Sequence, residues 1–249
     1  MAILHAGDTD IGRKRKTNQD SILLDAENLF FAVADGMGGH NGGDIASQMT
    51  VALMPPFVRQ HKPTLEPKDL LTKCVQHVNR EIFNRSELQP ELKGMGTTVA
   101  LAMFQGNKLL IGNVGDSRVY MFHDGQVFQM TRDHSFVQEK LNMGLYGRAE
   151  AALDKQKNVL VRSVGFEPEV AVDVFTYQVC KNDVFLICSD GLHGKVSDRD
   201  ILYIVQKNIP QPARATTADL ERTVKELIAQ ANANGGQDNI SVILAMAQE

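Results

Sequence analysis

The stretch Leu29-Phe30-Phe31-Ala32-Val33-Ala34-Asp35-Gly36-Met37-Gly38-Gly39-His40 decides how this chain is read. Its first six residues are an unbroken apolar run and predict a buried strand. The strand ends on Asp35, where a carboxylate is costly unless a cation or hydrogen-bond donors receive it. The glycines strip side chains from the following loop, so its backbone can approach a ligand closely. Three further aspartates have similar settings: Asp116 in Val114-Gly115-Asp116-Ser117-Arg118, Asp190 in Cys188-Ser189-Asp190-Gly191, and Asp238 in Gly236-Gln237-Asp238-Asn239. A single Asp-Gly marks only a turn. Four such carboxylates against apolar strands, with an obvious arginine partner only at Asp116, point to a divalent-cation site built from oxygen ligands.

The bulk composition is that of an ordinary globular enzyme: 249 residues, 43% hydrophobic and 22% charged. That length allows one large domain or two small ones, and no linker, repeat or low-complexity tract divides it; the expectation is a single catalytic domain over 1–249. A net charge of -4 argues against a general nucleic-acid binder. The one basic cluster, Arg13-Lys14-Arg15-Lys16, is short. Cys74, Cys180 and Cys188 lack metal-type pairing, and no apolar run approaches the roughly 20 residues needed to span a bilayer. The expectation is a cytoplasmic monomer without a membrane or nucleic-acid partner.

The pattern of apolar positions predicts strands at 2–8, 21–26 and 29–35, then helices at 43–60 and 67–86, with Pro55-Pro56 breaking or kinking the first near its end. Strands follow at 97–105, 107–114, 117–122 and 126–130, two pairs being joined as hairpins by Gln105-Gly106-Asn107 and His123-Asp124-Gly125. A helix is expected at 135–143, and the patternless stretch 144–158 reads as a flap or loop excursion. Strands at 169–177 and 183–189, helices at 197–207 and 216–233, and a strand at 239–247 complete the chain. Ser197 is the expected N-cap of its helix. Short antiparallel hairpins make this an α+β fold, with two packed sheets and helix pairs outside.

Several phosphate chemistries fail on their spacing. A G-x-G-x-x-G loop begun at Gly36 finds Asn41 in the last place, no G-x-x-x-x-G-K-[ST] loop exists, and the position six after Cys188 is Gly194 rather than arginine. Two divalent ions about 3.5–4 Å apart, by contrast, supply a nucleophilic water at neutral pH and clamp phosphate oxygens. That chemistry needs several carboxylates and few thiols or imidazoles.

The chain resembles the bacterial form of the metal-dependent type 2C Ser/Thr protein phosphatases (the PPM family). Seven blocks occur in family order: Asp10-Ile11-Gly12-x-x-Arg15-x-x-Asn18-Gln19-Asp20, Asp35-Gly36-Met37-Gly38-Gly39-His40, Gly94-Met95-Gly96-Thr97-Thr98, Gly112-Asn113-Val114-Gly115-Asp116-Ser117-Arg118, Thr131-Arg132-Asp133-His134-Ser135, Cys188-Ser189-Asp190-Gly191-Leu192 and Gly236-Gln237-Asp238-Asn239. The resemblance implies an α-β-β-α sandwich and hydrolysis of phosphoserine and phosphothreonine in proteins by a metal-bridging hydroxide, without a phosphoenzyme. It implies that Asp35 bridges two core ions, Mn²⁺ or Mg²⁺, that the Gly36 carbonyl, Asp190 and Asp238 complete their protein ligands, and that Asp116 with Asp190 holds a weaker third ion. Arg15 would bind the substrate phosphate, Asp20 would orient water, and His40 could act as the acid or stabilise its loop. Gln19, where many relatives carry Glu, and Asn239 would stand behind the ligands, Asn239 bonding around the metal waters. Asp133 and His134 read as loop staples, and Thr97 and Thr98 as structural. The implied partners are phosphorylated proteins made by a Ser/Thr kinase. The alternative is an inactive relative that binds phosphoproteins without cleaving them; the presence of all four aspartates and Arg15 argues against it.

Overall fold

Two antiparallel sheets pack face to face, each covered on its outer side by helices. The computed structural model describes residues 2–38, 42–154, 156 and 158–248. One sheet has the order β1-β11-β10-β7-β8, from Ala2–Asp10, Ile240–Gln248, Val184–Cys188, Arg118–His123 and Gln126–Gln129. The other has the order β2-β3-β5-β6-β9, from Asp20–Asp25, Phe30–Met37, Val99–Gln105, Lys108–Val114 and Asp173–Gln178, with the short β4, Gly96–Thr97, also pairing with β3. Helices α1, Gly43–His61, and α2, Pro67–Leu88, cover the second sheet. Over the first lie the one-turn α5, Asp190–His193, and the longer α6, Asp198–Asn208, and α7, Thr217–Ala233. Between the sheets' strands in sequence come two short helices, α3, Phe136–Asn142, and α4, Arg148–Leu153.

The apolar run before Asp35 is continuous because β3 is buried on both faces. Phe31 and Val33 point between the sheets, toward Phe104, Phe185 and Ile243, whereas Phe30 and Ala32 point at α1 and α2. On α1 the residues Ala46, Thr50, Met54 and Val58 recur every four positions and form its buried stripe. Alternation along β11 splits Val242, Leu244 and Met246 toward α6 and α7 from Ile243, Ala245 and Ala247 toward the other sheet.

Four expectations change in detail. Helix α1 runs through Pro55 and Pro56 to His61 without breaking. The carbonyls deprived of a donor belong to Val51 and Ala52, on the side of the helix that solvent can reach. The strand expected at 97–105 is divided at Thr98, whose amide bonds the Asp35 carbonyl and whose hydroxyl bonds Ser117. The strand expected from 169 begins at Asp173. The stretch 144–158 contains α4, which left no period because it is only six residues long. Asp154, at its end, accepts from Lys140 Nζ and Tyr146 Oη, each at 2.9 Å. Ser197 does cap α6, its Oγ accepting from the Asp200 amide. No helix among the described residues is long and apolar enough to cross a membrane.

Candidate active site

One end of the sandwich collects the candidate aspartates. Asp35 lies near the end of β3, Asp116 in the turn from β6 to β7, Asp190 at the start of α5 two residues past the end of β10, and Asp238 two residues before β11. Asp20 opens β2 and faces Asp35 across the ladder. These strands alternate in direction within both sheets, so chain positions far apart in sequence share one end of the sandwich. A cleft of about 440 Å³ results, lined by Arg15, Gln19, Asp35, Gly36, Asp116, Asp190 and Asp238 on the strand side. The opposite wall comes from Asn158, Leu160, Ser163 and Phe166. That wall is tied down by bridges from Val164 to Thr97 and from Leu160 to Ser135.

Local packing dictates the glycines beside two of these aspartates. A Cβ at Gly36 would overlap the carbonyl oxygen of Gly43 at the start of α1, and one at Gly191 would overlap the carbonyl of Asn239. Backbones that close bring the β3 turn against α1 and bring Asp190 beside the Asp238 segment. The Asp35 carbonyl is held by the Thr97 hydroxyl at 2.9 Å and the Thr98 amide at 2.8 Å, and its amide donates to Thr98 Oγ1 at 3.1 Å.

Burial first, and then charge repulsion, sets the electrostatics of the cleft. Burial and then Asp20, Asp190, Asp116 and Asp238 push the Asp35 carboxyl well above the usual range. Burial and the neighbouring carboxylates raise Asp20 to about 7, Asp116 to about 8 and Asp190 to about 6. Asp20 Oδ1 and Asp190 Oδ1 are buried and accept no hydrogen bond. Arg15 is the only cationic side chain among the described residues lining the cleft; it is about half exposed, with its Nη2 2.7 Å from Asp238 Oδ2. Buried carboxylates with unmet oxygens and one guanidinium fit multivalent cations, and a donor set without thiol or imidazole suits Mg²⁺ or Mn²⁺.

The family model for protein phosphatase 2C matches residues 7–245. The chain belongs to the protein phosphatase 2C family. It is 37% identical over 246 residues to the serine/threonine phosphatase Stp of Listeria monocytogenes, covering 95% of this chain and 92% of that protein. It is 36% identical to the serine/threonine protein phosphatase PstP of Mycobacterium tuberculosis, over 98% of this chain but only 45% of the longer PstP. The crystal structure of the Mycobacterium tuberculosis phosphatase PstP superposes with a TM-score of 0.90 at 33% identity, covering 100% of both chains. A PstP catalytic domain in complex with two manganese ions superposes with a TM-score of 0.86 at 32% identity, covering 99% of both.

In this protein phosphatase 2C, the cleft brings together seven of the residues singled out from sequence: Arg15, Gln19, Asp35, Gly36, Asp116, Asp190 and Asp238. Asp20 sits behind them, its Oδ2 accepting from Ser189 Oγ at 2.8 Å and Ser241 Oγ at 2.7 Å. Asn239 lies under the loop beside the cleft. Its Oδ1 accepts from the Gln19 amide and its Nδ2 donates to the carbonyls of Ile11 and Thr17, so it anchors the loop carrying Arg15. Arg118 does not pair with Asp116: its guanidinium grips Asp133 at 2.7–3.2 Å and donates to Tyr120 Oη. Asp133 and His134 are the staples expected, His134 Nδ1 accepting from the Gly115 amide at 3.0 Å. His40 lies outside the described residues.

Sequence reading missed the supports behind the candidate aspartates. Ser189 and Ser241 hold Asp20, and His193 Nε2 donates to the Asp116 carbonyl at 3.0 Å, joining the Asp116 turn to α5. Burial lowers His193 to about 3, so it stays a neutral donor. The adjacent blocks Cys188-Ser189-Asp190 and Asp238-Asn239-Ile240-Ser241 carried the available signal, since a serine among buried strand residues needs a polar partner.

Proposed function

We propose that Asp35, the Gly36 carbonyl, Asp190 and Asp238 hold two divalent ions, Mn²⁺ or Mg²⁺, and that Asp116 with Asp190 holds a weaker third. The chain is a metal-dependent protein-serine/threonine phosphatase. The observation that carries the site assignment is the convergence of these oxygen ligands on one cleft whose carboxylates have Arg15 as their single cationic partner among the described residues lining it. Bound there, divalent ions supply a water activated for attack and neutralise phosphoryl oxygens.

The protein's own groups divide the remaining work. The phosphate takes over the Arg15 guanidinium from Asp238, and the two parallel donors of the fork suit two phosphoryl oxygens. Half-exposed Arg15 is free to make that exchange, whereas the loop beneath it is fixed by Asn239. Asp20 presents Oδ1 as an acceptor for a water proton while its two serines hold Oδ2. Water adds to phosphorus, the P–O bond to the seryl or threonyl oxygen breaks, and that oxygen takes a proton, His40 being the proposed donor. Gln19 leaves the cleft one negative charge poorer than a glutamate would.

We place residues 1–249 in one catalytic domain with 144–158 as a flap beside the cleft, acting as a cytoplasmic monomer on proteins phosphorylated by a Ser/Thr kinase. The test is phosphate release from phosphoserine and phosphothreonine peptides. Chelation should abolish it and Mn²⁺ or Mg²⁺ should restore it. Peptide binding without release at any metal concentration would identify a binding module instead.

A further inference from the structure

The end of the sandwich opposite the catalytic cleft carries a second cluster of metal-binding groups. β7 runs from Arg118, two residues after Asp116, to His123, and β10 runs from Val184 to Cys188, two residues before Asp190. Continuing the pairing of Val184 with Phe122 sets Asp183 opposite His123, six residues or about 20 Å of strand from the cleft. Ligand atoms of His123, Cys180 and Asp183 all lie within 4.8 Å of one another.

We propose that His123 Nδ1, Cys180 Sγ and Asp183 Oδ1 form a Zn²⁺ site that clips the β9–β10 crossover to the β7–β8 hairpin. Imidazole, thiolate and carboxylate give three protein ligands of the types zinc takes, with a fourth position left for water. The surroundings are already arranged for it. His123 Nε2 lies 3.3 Å from Asp124 Oδ2, the carboxylate partner that fixes the tautomer of a metal-bound histidine. Asp183 is 1% exposed; its Oδ2 accepts from the Cys180 amide at 2.8 Å, which leaves Oδ1 for the site. The turn itself is pinned to β11, Asn182 N donating to the Ala247 carbonyl and Ala247 N to that of Asp183. Its Asn182 Oδ1 is buried without a hydrogen-bond partner.

Without an ion, a proton joins His123 Nδ1 to Asp183 Oδ1 at 2.6 Å. Zinc binding releases that proton and the one on the Cys180 thiol, and the N···O separation opens to about 3.3 Å, the edge of a tetrahedral zinc site. The cysteine also makes this site chemically distinct from the oxygen-lined cleft.

Cobalt(II) titration of the full chain tests the proposal. With the cleft filled by Mn²⁺, one equivalent should produce a near-ultraviolet thiolate-to-cobalt charge-transfer band, which Zn²⁺ then displaces; ions in the cleft cannot produce it. Cys180→Ser should abolish the band, and His123→Ala should weaken cobalt binding by about tenfold or more. Both positions are accessible at the surface, so Mn²⁺-dependent phosphatase activity should stay within about twofold and report folding. Absence of the band at about a tenfold excess of cobalt, or its persistence in Cys180→Ser, would overturn the assignment.

Discussion

Asp20→Asn separates the charge of the carboxylate cluster from its hydrogen bonds. Burial, with contributions from Asp190 and Asp238, raises the Asp20 carboxyl from 3.8 to about 7, against the opposing bonds from Ser241 and Ser189. A carboxyl whose folded value exceeds its unfolded value stabilises the fold in its protonated form. That contribution is complete below the unfolded value and is lost as pH rises through the folded one. At about 1.4 kcal/mol per unit, the interval from pH 5 to pH 7 carries about 3 kcal/mol. Metal-free wild type should therefore lose about 3 kcal/mol from this group between pH 5 and pH 8, and the Asp20→Asn variant should not. For a chain of this size that corresponds to about 6–12 °C in Tm. Thermal unfolding followed by circular dichroism with chelator present, at both pH values, reads the difference directly. Saturating Mn²⁺ should shrink it, because the ions then supply the counter-charge. Parallel losses in wild type and variant would refute the account of a cluster starved of cations.

Arg15→Ala should raise KM for phosphopeptides more than it lowers kcat, since a fork on a dianion acts largely in the ground state, while exposed Arg13→Ala should be nearly silent; equal defects in steady-state assays would mean the whole basic cluster holds the phosphate. Asp116→Ala should lower turnover yet leave two tight ions bound, and calorimetry showing loss of those ions would move Asp116 into the core of the site. Shortening 144–158 should keep hydrolysis of a small aryl phosphate within a few-fold of wild type and reorder a panel of phosphopeptides, because Asn158 lines the cleft; an unchanged order with a lower Tm would make the stretch structural.

The candidate aspartates were legible because each stands at a junction between an apolar strand and a glycine-rich or polar turn. Asp35 after Leu29–Ala34 is such a junction, and so is Asp190 after Val184–Cys188. Element order and the two-sheet architecture followed from strand and helix periods that the buried stripes of α1 and β11 repeat. What escaped the sequence depends on partners remote along the chain. Asn239 ties down Ile11, Thr17 and Gln19, over 200 positions away, which its neighbours in sequence do not reveal. Arg118 stands two residues from Asp116, but its side chain points along β7 to Asp133. Helix α4 is too short to show a period, and the helix through Pro55-Pro56 survives because its free carbonyls face outward, which spacing alone does not reveal.

The central claim is that Asp35 holds the catalytic ions, and it is tested most directly by Mn²⁺ binding to Asp35→Asn, measured by calorimetry beside turnover. Asp35 is the carboxylate on which burial and all four neighbouring aspartates act together. The account predicts two tight ions in wild type, loss of tight binding in the variant, and a fall in turnover by orders of magnitude at any Mn²⁺ concentration. Two tight ions and full turnover in Asp35→Asn would contradict it.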